Sequence, residues 1–167
     1  MEIKLKVVGL QRSGTNYLTE LLKINFNEFV YTNPLSPFFK HCMPHETSVN
    51  LIDGVCEFPL PLTTTCCIIH VKKTKEHWLR SIKNNPMDLY QKRPGVKSNE
   101  KEFYDNFINN WKMVYTVQYE SLLQDFQKEL SNIQNHFSLT RKQPNFLNVS
   151  KVPHNKLFTE EDKKRYL

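Results

Sequence analysis

The chain has 167 residues, of which 39% are hydrophobic and 24% charged, with a formal net charge of +6. That length suits one domain with a single core across residues 1–167, and no apolar run approaches the roughly 20 residues that a bilayer-spanning helix needs. The basic surplus, at a sequence pI of about 9.1, points to an anionic partner (nucleic acid, an acidic lipid face or a polyphosphorylated small molecule) or else serves only to solubilise.

The first ten residues enter an apolar alternation at once and carry Glu2, Lys4 and Lys6. Such a start is too short and too charged for a signal peptide or anchor, so a cytoplasmic protein without a membrane partner is expected. Residues 3–10, IKLKVVGL, alternate and then turn fully apolar, which is a strand signal. Residues 9–14 break it. Residues 15–23 read as a helix with Leu18, Leu21 and Leu22 on one face, and residues 28–32 as a short second strand. Pro34, Pro37 and Pro44 make residues 33–48 a loop. Residues 50–58 are ambiguous between strand and loop.

Residues 65–71, TCCIIHV, form a strand by their β-branched content, with Cys66 and Cys67 as small hydrophobes. The other cysteines are Cys42 and Cys56, and no CxxC pair occurs, so neither a zinc site nor a disulfide framework is expected. Thr74 is a candidate N-cap for a helix over residues 74–84, with Trp78, Leu79 and Ile82 inward. Residues 86–99 are a polar, basic loop. Residues 100–112 read as a helix with Phe103, Phe107 and Trp111 on one stripe, and residues 113–118 as a strand. Residues 120–137 are the clearest helix, striped by Leu122, Leu123, Phe126, Leu130, Ile133 and Phe137. Residues 140–157 are loop-like, and Thr159 caps a last helix. Strands alternating with helices predict a three-layer α/β fold built on a central parallel sheet of about four or five strands, and the glycine spacing of the turn after the first strand resembles the P-loop type of that fold. Strand 4–10 should be central with 65–71 near it. Ligands of such sheets sit at the carboxyl ends of the strands.

The strand–loop–helix unit VVGLQRSGTNYLTELL carries the strongest functional signal. Gly9 and Gly14 flank four residues, and the turn opens into a helix whose N-terminus favours an anion. The spacing is that of the nucleotide loop GxxxxGK followed by Ser or Thr, but Thr15 stands where that motif has lysine. The positive charge falls at Arg12 instead. The strand at 65–71 ends in Lys72 and Lys73, without the acid that helps hold Mg²⁺ in ATPases. The loop therefore reads as an anion site without a metal ion.

RSGTN resembles the 5′-phosphosulfate loop of sulfotransferases that use 3′-phosphoadenosine-5′-phosphosulfate (PAPS). The resemblance implies that Arg12 meets the sulfate end of the donor, that Ser13, Gly14, Thr15 and Asn16 wrap the 5′-phosphate, and that Tyr17 helps stack the adenine. VKKTKEHWLRS is similar to the family's strand-end Arg followed by a serine eight residues on. Trp78 sets the register, with Lys73 at the arginine position and Ser81 at the serine position, so the two are expected to grip the 3′-phosphate. Lysine keeps the charge and loses the bidentate fork. VQYESLL resembles the family's YEDL and makes Tyr119 an adenine neighbour. The resemblance covers residues 5–137 and implies no metal.

Sulfuryl transfer needs a base for the acceptor proton and cations for the transferring group. FFKHCMPHE resembles the family's Lys-Thr-His-Leu-Pro run, one residue shorter before the histidine. His41 is the expected base, with Lys40 and Arg12 neutralising charge on the sulfuryl and leaving oxygens; His45 and Glu46 are the alternatives. The family's Arg-Lys-Gly closing loop is missing, and Lys151, His154 and Lys156 are the candidates to replace it. The expected function is transfer of a sulfuryl group from PAPS to an acceptor hydroxyl or amine, a carbohydrate among the candidates. A Mg²⁺-dependent small-molecule kinase lacks its lysine here. A nucleic-acid-binding module lacks a recognisable motif, and the basic residues are scattered. A sulfotransferase-like protein that binds the nucleotide without catalysis is the remaining alternative.

Overall fold

The computed structural model describes residues 2–32, 41, 50–52, 55–57, 64–84 and 99–149. Lys40, His45, Glu46, Lys151, His154 and Lys156, the basic loop before residue 99 and the expected last helix lie outside the described residues.

The sequence folds into an α/β unit around one sheet. In chain order the elements are β1 (Glu2–Val8), α1 (Thr15–Asn25), β2 (Phe29–Tyr31), β3 (Asn50–Ile52), β4 (Val55–Glu57), β5 (Thr64–Lys72), α2 (Lys75–Asn84), α3 (Glu100–Asn110), β6 (Tyr115–Gln118), α4 (Tyr119–Gln124) and α5 (Phe126–Phe137). Four strands are parallel, in the order β2-β1-β5-β6. β1 pairs with β5 from Glu2 opposite Thr64 to Val8 opposite His70, so both strands end at one edge.

The four parallel strands meet the expectation of a central parallel sheet, and among the described residues an antiparallel pair is added to them, so the sheet as a whole is mixed. The ambiguous stretch after residue 50 supplies two antiparallel strands, β3 and β4. β4 pairs with β5 at Cys66 and Cys67, while β6 pairs with β5 from Ile69 to Lys72. The long strand β5 therefore serves two partners in succession, an antiparallel one early and a parallel one late. The added hairpin brings the sheet to six strands.

Alternation along β1 and β5 sorts two cores onto the two faces. Leu5, Val7, Cys67, Ile69 and Val71 pack on Leu18, Leu21, Leu22 and Phe26 of the α1 side, with Leu122, Leu130 and Ile133 from α4 and α5. Val8, Leu10, Cys66 and Ile68 pack on Trp78, Ile82, Phe107 and Trp111 from the opposite layer. Trp78, Phe107 and Trp111 are fully buried or nearly so; burying one large apolar side chain contributes on the order of 1.5–3 kcal/mol. Two polar groups share this second face, Lys6 and His70, both buried.

The single helix expected over 120–137 is two helices, which corrects that expectation. Asp125 leaves the helical region at φ −149° and ψ 81°, and its carboxylate accepts from the Lys128 amide at 3.0 Å. An aspartate in that conformation ends one helix and caps the next. α5 then closes on Ser138, which takes the left-handed conformation at φ 55°. Among the described residues no helix is long and apolar enough to cross a membrane.

Candidate functional site

The carboxyl ends of β1, β5 and β6 converge on the turn between β1 and α1. Gly9 leaves β1 where a β-carbon would press on the Val71 carbonyl and the Ser13 hydroxyl, both at 2.6 Å, so only glycine lets the loop lie against β5. The Ser13 amide donates to the Leu10 carbonyl at 3.1 Å and the Ser13 hydroxyl to the same oxygen at 2.6 Å. Ser13 is buried. Both of its donors thus bond within the loop and shape it.

Arg12 and Gly14 both adopt positive φ, at 66° and 93°. For arginine this conformation is unfavourable, and such residues persist only where the surroundings hold them. The Trp78 indole supplies part of that hold, donating to the Gln11 carbonyl at 2.9 Å. The Nε of Arg12 is buried and has no hydrogen-bond partner among the described residues. Gly14 is the N-cap of α1. It has no side chain to offer, and the first turn holds no acid. The positive end of the helix therefore has neither a side-chain cap nor a first-turn carboxylate against it, a setting that favours anions. Thr15 is buried, Asn16 is half-buried, and the Leu18 amide closes the first turn on the Gly14 carbonyl at 3.1 Å.

Tyr119 forms the floor beside this loop. Its ring lies against Gly14, so that a β-carbon there would overlap it. The Tyr17 ring meets it edge-on at 6.4 Å, and the Tyr17 hydroxyl donates to Asn148 at 2.7 Å. Burial raises the Tyr119 hydroxyl above its ordinary value, and Tyr17 and Glu120 push the same way. Tyr17 is also raised by burial, against the bond to Asn148.

The Lys73 ammonium stands 4.6 Å from the centre of the Tyr119 ring and donates to the Ser81 hydroxyl at 3.2 Å. Ser81 in turn donates to the His77 carbonyl one helical turn back, at 2.9 Å. The Tyr104 hydroxyl donates to the Lys73 carbonyl. Lys73 is 7% exposed. Burial lowers its pKa, Glu120 works against that, and Arg12 adds to the lowering. Lys73 and Ser81, eight residues apart, therefore come together as a pair, and Arg12 is close enough for its charge to act on the lysine.

His41 reaches the loop from the other side. Its Nδ1 is 2.6 Å from the Gly9 carbonyl oxygen. That oxygen can only accept, so Nδ1 carries the proton and, in the neutral ring, Nε2 carries the lone pair.

Two residues of the cluster were not singled out in the sequence. Glu120 accepts from the Thr74 amide and the Thr74 hydroxyl, both at 3.1 Å, and from His77 Nδ1 at 2.7 Å, all on Oε1. Its Oε2 accepts from Gln118 at 2.5 Å. Burial would raise this carboxyl, but the bonds from Gln118, His77, its own amide and Thr74 outweigh it and hold the pKa at about 2. The His77 ring leans on Tyr119 at 6.1 Å. An acid directly after Tyr119 and a histidine directly before Trp78 were the available signals; their pairing across 43 positions was not.

The site is thus a concentration of positive groups, Arg12, Lys73 and the start of α1, around an aromatic floor, with one histidine of fixed tautomer at the loop. Positive charge concentrated in this way favours anions. Comparison of this chain with protein-family models, with curated proteins and with solved structures found no match.

Proposed function

We propose that this chain is a PAPS-dependent sulfotransferase of the P-loop type. The observation that carries the reading is the pair of cationic points that both lie against Tyr119. One is the loop of Arg12 and Gly14 at the start of α1; the other is Lys73 with Ser81. A nucleotide with phosphate at both its 5′ and 3′ positions matches two such points, whereas a 5′-nucleotide uses only one. The unpartnered Nε of Arg12 and the uncapped start of α1 fit the sulfated end of that molecule. Of the three Lys73 N–H bonds, Ser81 takes one, which leaves donors for a 3′-phosphate.

Bound there, PAPS would supply a sulfuryl group on a good leaving phosphate and depart as 3′,5′-ADP. Arg12 would neutralise charge on the sulfuryl and leaving oxygens, together with Lys40 if that residue reaches the loop. His41 would take the acceptor's proton on Nε2, because Nδ1–H is committed to the Gly9 carbonyl. Tyr17 and Tyr119 would flank the adenine. The acceptor is a hydroxyl or an amine.

The test is ligand-dependent thermal stability. Saturation at about 100 times Kd stabilises a fold by about 2.7 kcal/mol. 3′,5′-ADP in the presence of a chelator should raise Tm, and ATP with Mg²⁺ should not. Lys73→Ala should erase the advantage of 3′,5′-ADP over 5′-AMP. A rise with ATP and Mg²⁺ alone would favour a kinase and defeat the reading.

A further inference from the structure

Lys73 is a buried cation on a short turn, and both its place and its charge have to be maintained. Among the described residues the groups that face it are Arg12 from the loop, Tyr119 and Glu120 from α4, Ser81 and His77 from α2, and Tyr104 of α3 at its carbonyl. Glu120 is the negative member of that set. Three of the four side-chain and turn donors on its carboxylate come from Thr74 and His77, the residues that lead out of Lys73 into α2. The fourth is Gln118, the last residue of β6. The carboxylate therefore ties the end of β6 to the end of β5. Its neighbour Tyr119 lies on Gly14 at the end of the β1 loop.

We propose that Glu120 is a positioning residue for the 3′-phosphate contact: it fixes the turn that carries Lys73, balances its charge, and so sets the preference for a nucleotide phosphorylated at the 3′ position. This rests on the PAPS reading. The charge argument has a definite sign. Burial and Arg12 both favour loss of the Lys73 proton, and Glu120 opposes them. Removing the negative charge makes the ammonium deprotonate at lower pH, and a neutral amine holds phosphate poorly.

Calorimetric titration of 3′,5′-ADP and 5′-AMP into the intact chain, from about pH 6 to about pH 10, separates the roles. The wild type should prefer 3′,5′-ADP about tenfold or more at neutral pH, as a charge-assisted contact implies. Glu120→Gln should cut that ratio to between the wild-type and Lys73→Ala levels, leave 5′-AMP affinity within about twofold, and lose the remaining preference at lower pH than the wild type does. Thr74→Val removes one donor and keeps the carboxylate, so it should lower the ratio by about threefold without moving the pH midpoint. That variant decides the matter if Glu120→Gln fails to fold. An unchanged ratio in either variant overturns the proposal while leaving the PAPS reading intact. Equal loss of both ligands in Glu120→Gln also overturns it, because that is the mark of a merely structural residue. A wild type that does not distinguish the two nucleotides overturns the PAPS reading and this proposal with it.

Discussion

The ring of Tyr119 lies on Gly14 with no room for a β-carbon between them. Gly14 caps the helix after β1 and Tyr119 opens the helix after β6, so this contact sets how closely the β6–α4 junction approaches the loop after β1. Gly14 is needed twice over, because its φ of 93° is also a conformation that side chains resist.

Gly14→Ala should therefore do more harm than a surface substitution. The left-handed backbone alone costs about 1–2 kcal/mol for alanine. The overlap with Tyr119 must then be relieved by shifting the ring, which also disturbs its packing with Lys73. The expected result is a lower Tm together with loss of 3′,5′-ADP binding. Gly14→Ala/Tyr119→Ala should recover part of the stability and none of the binding. If the single variant binds the nucleotide normally, the tight approach of the two residues is not what shapes the site.

Arg12→Ala is expected to behave in the opposite way. It removes a buried Nε without a partner among the described residues and leaves the backbone at φ 66° as strained as before, so stability should hold or rise slightly. Binding of the phosphosulfate end should fall, and turnover with it, since the same guanidinium meets the ground state and the transition state. Thermal melts with and without 3′,5′-ADP, alongside a sulfate-release assay, read both effects. A large loss of stability in the free protein would show that Arg12 supports the fold instead.

The centre of the parallel sheet was legible because β1 and β5 are buried on both faces over most of their described length and read as apolar runs. Residues 65–71 carry that signal most clearly. The loop was legible because Gly9, Gly14 and Arg12 are close in sequence, and the Lys73–Ser81 pair because one strand end and one helix carry both. Three features were hidden. The hairpin of β3 and β4 consists of three-residue strands, too short for periodicity to declare, although Asp53-Gly54 between them is a favoured turn dipeptide. The break at Asp125 was masked because the apolar stripe resumes nearly in phase: Leu122, Leu130 and Ile133 all enter one core. Leu123 is the member of the stripe that does not, being 36% exposed. Glu120 was hidden for another reason. An acid at the start of a helix reads as a solvated charge, and its donors Thr74 and His77 are brought to it only by strand pairing of β5 with β6.

His70 gives a prediction about the fold itself. It is buried beside Phe107, and its Nε2 has no partner among the described residues. Burial, and secondarily the charge of Lys72, lowers its pKa from 6.5 to about 3. Between those values the unfolded chain binds a proton that the folded chain refuses, so stability falls as pH drops below 6.5. The slope from this one group is about 1.4 kcal/mol per pH unit, and it is absent above 6.5. His70→Leu should flatten the acid side of a stability–pH curve measured by urea unfolding. A wild-type curve that is level from pH 7 to about pH 4 would contradict the shift.

The chemistry turns on His41. Its Nδ1–H is held by the Gly9 carbonyl, which belongs to the loop that carries Arg12. The ring is thereby fixed in orientation and tautomer before any acceptor arrives, and Nε2 is the nitrogen able to receive a proton. A base of this kind acts on the acceptor and not on the donor nucleotide. His41→Ala should therefore lower kcat by about 10²–10⁴-fold and leave 3′,5′-ADP affinity nearly unchanged. His41→Gln is the sharper variant, because its amide N–H can donate to the Gly9 carbonyl while the side chain cannot serve as a base at neutral pH. It should keep the loop and still lose turnover. In the wild type, kcat/KM should rise with pH through the histidine range, and that rise should vanish in His41→Gln. If the variant keeps the pH profile along with most of its turnover, the base is another group, and His45 and Glu46 are the residues to change next.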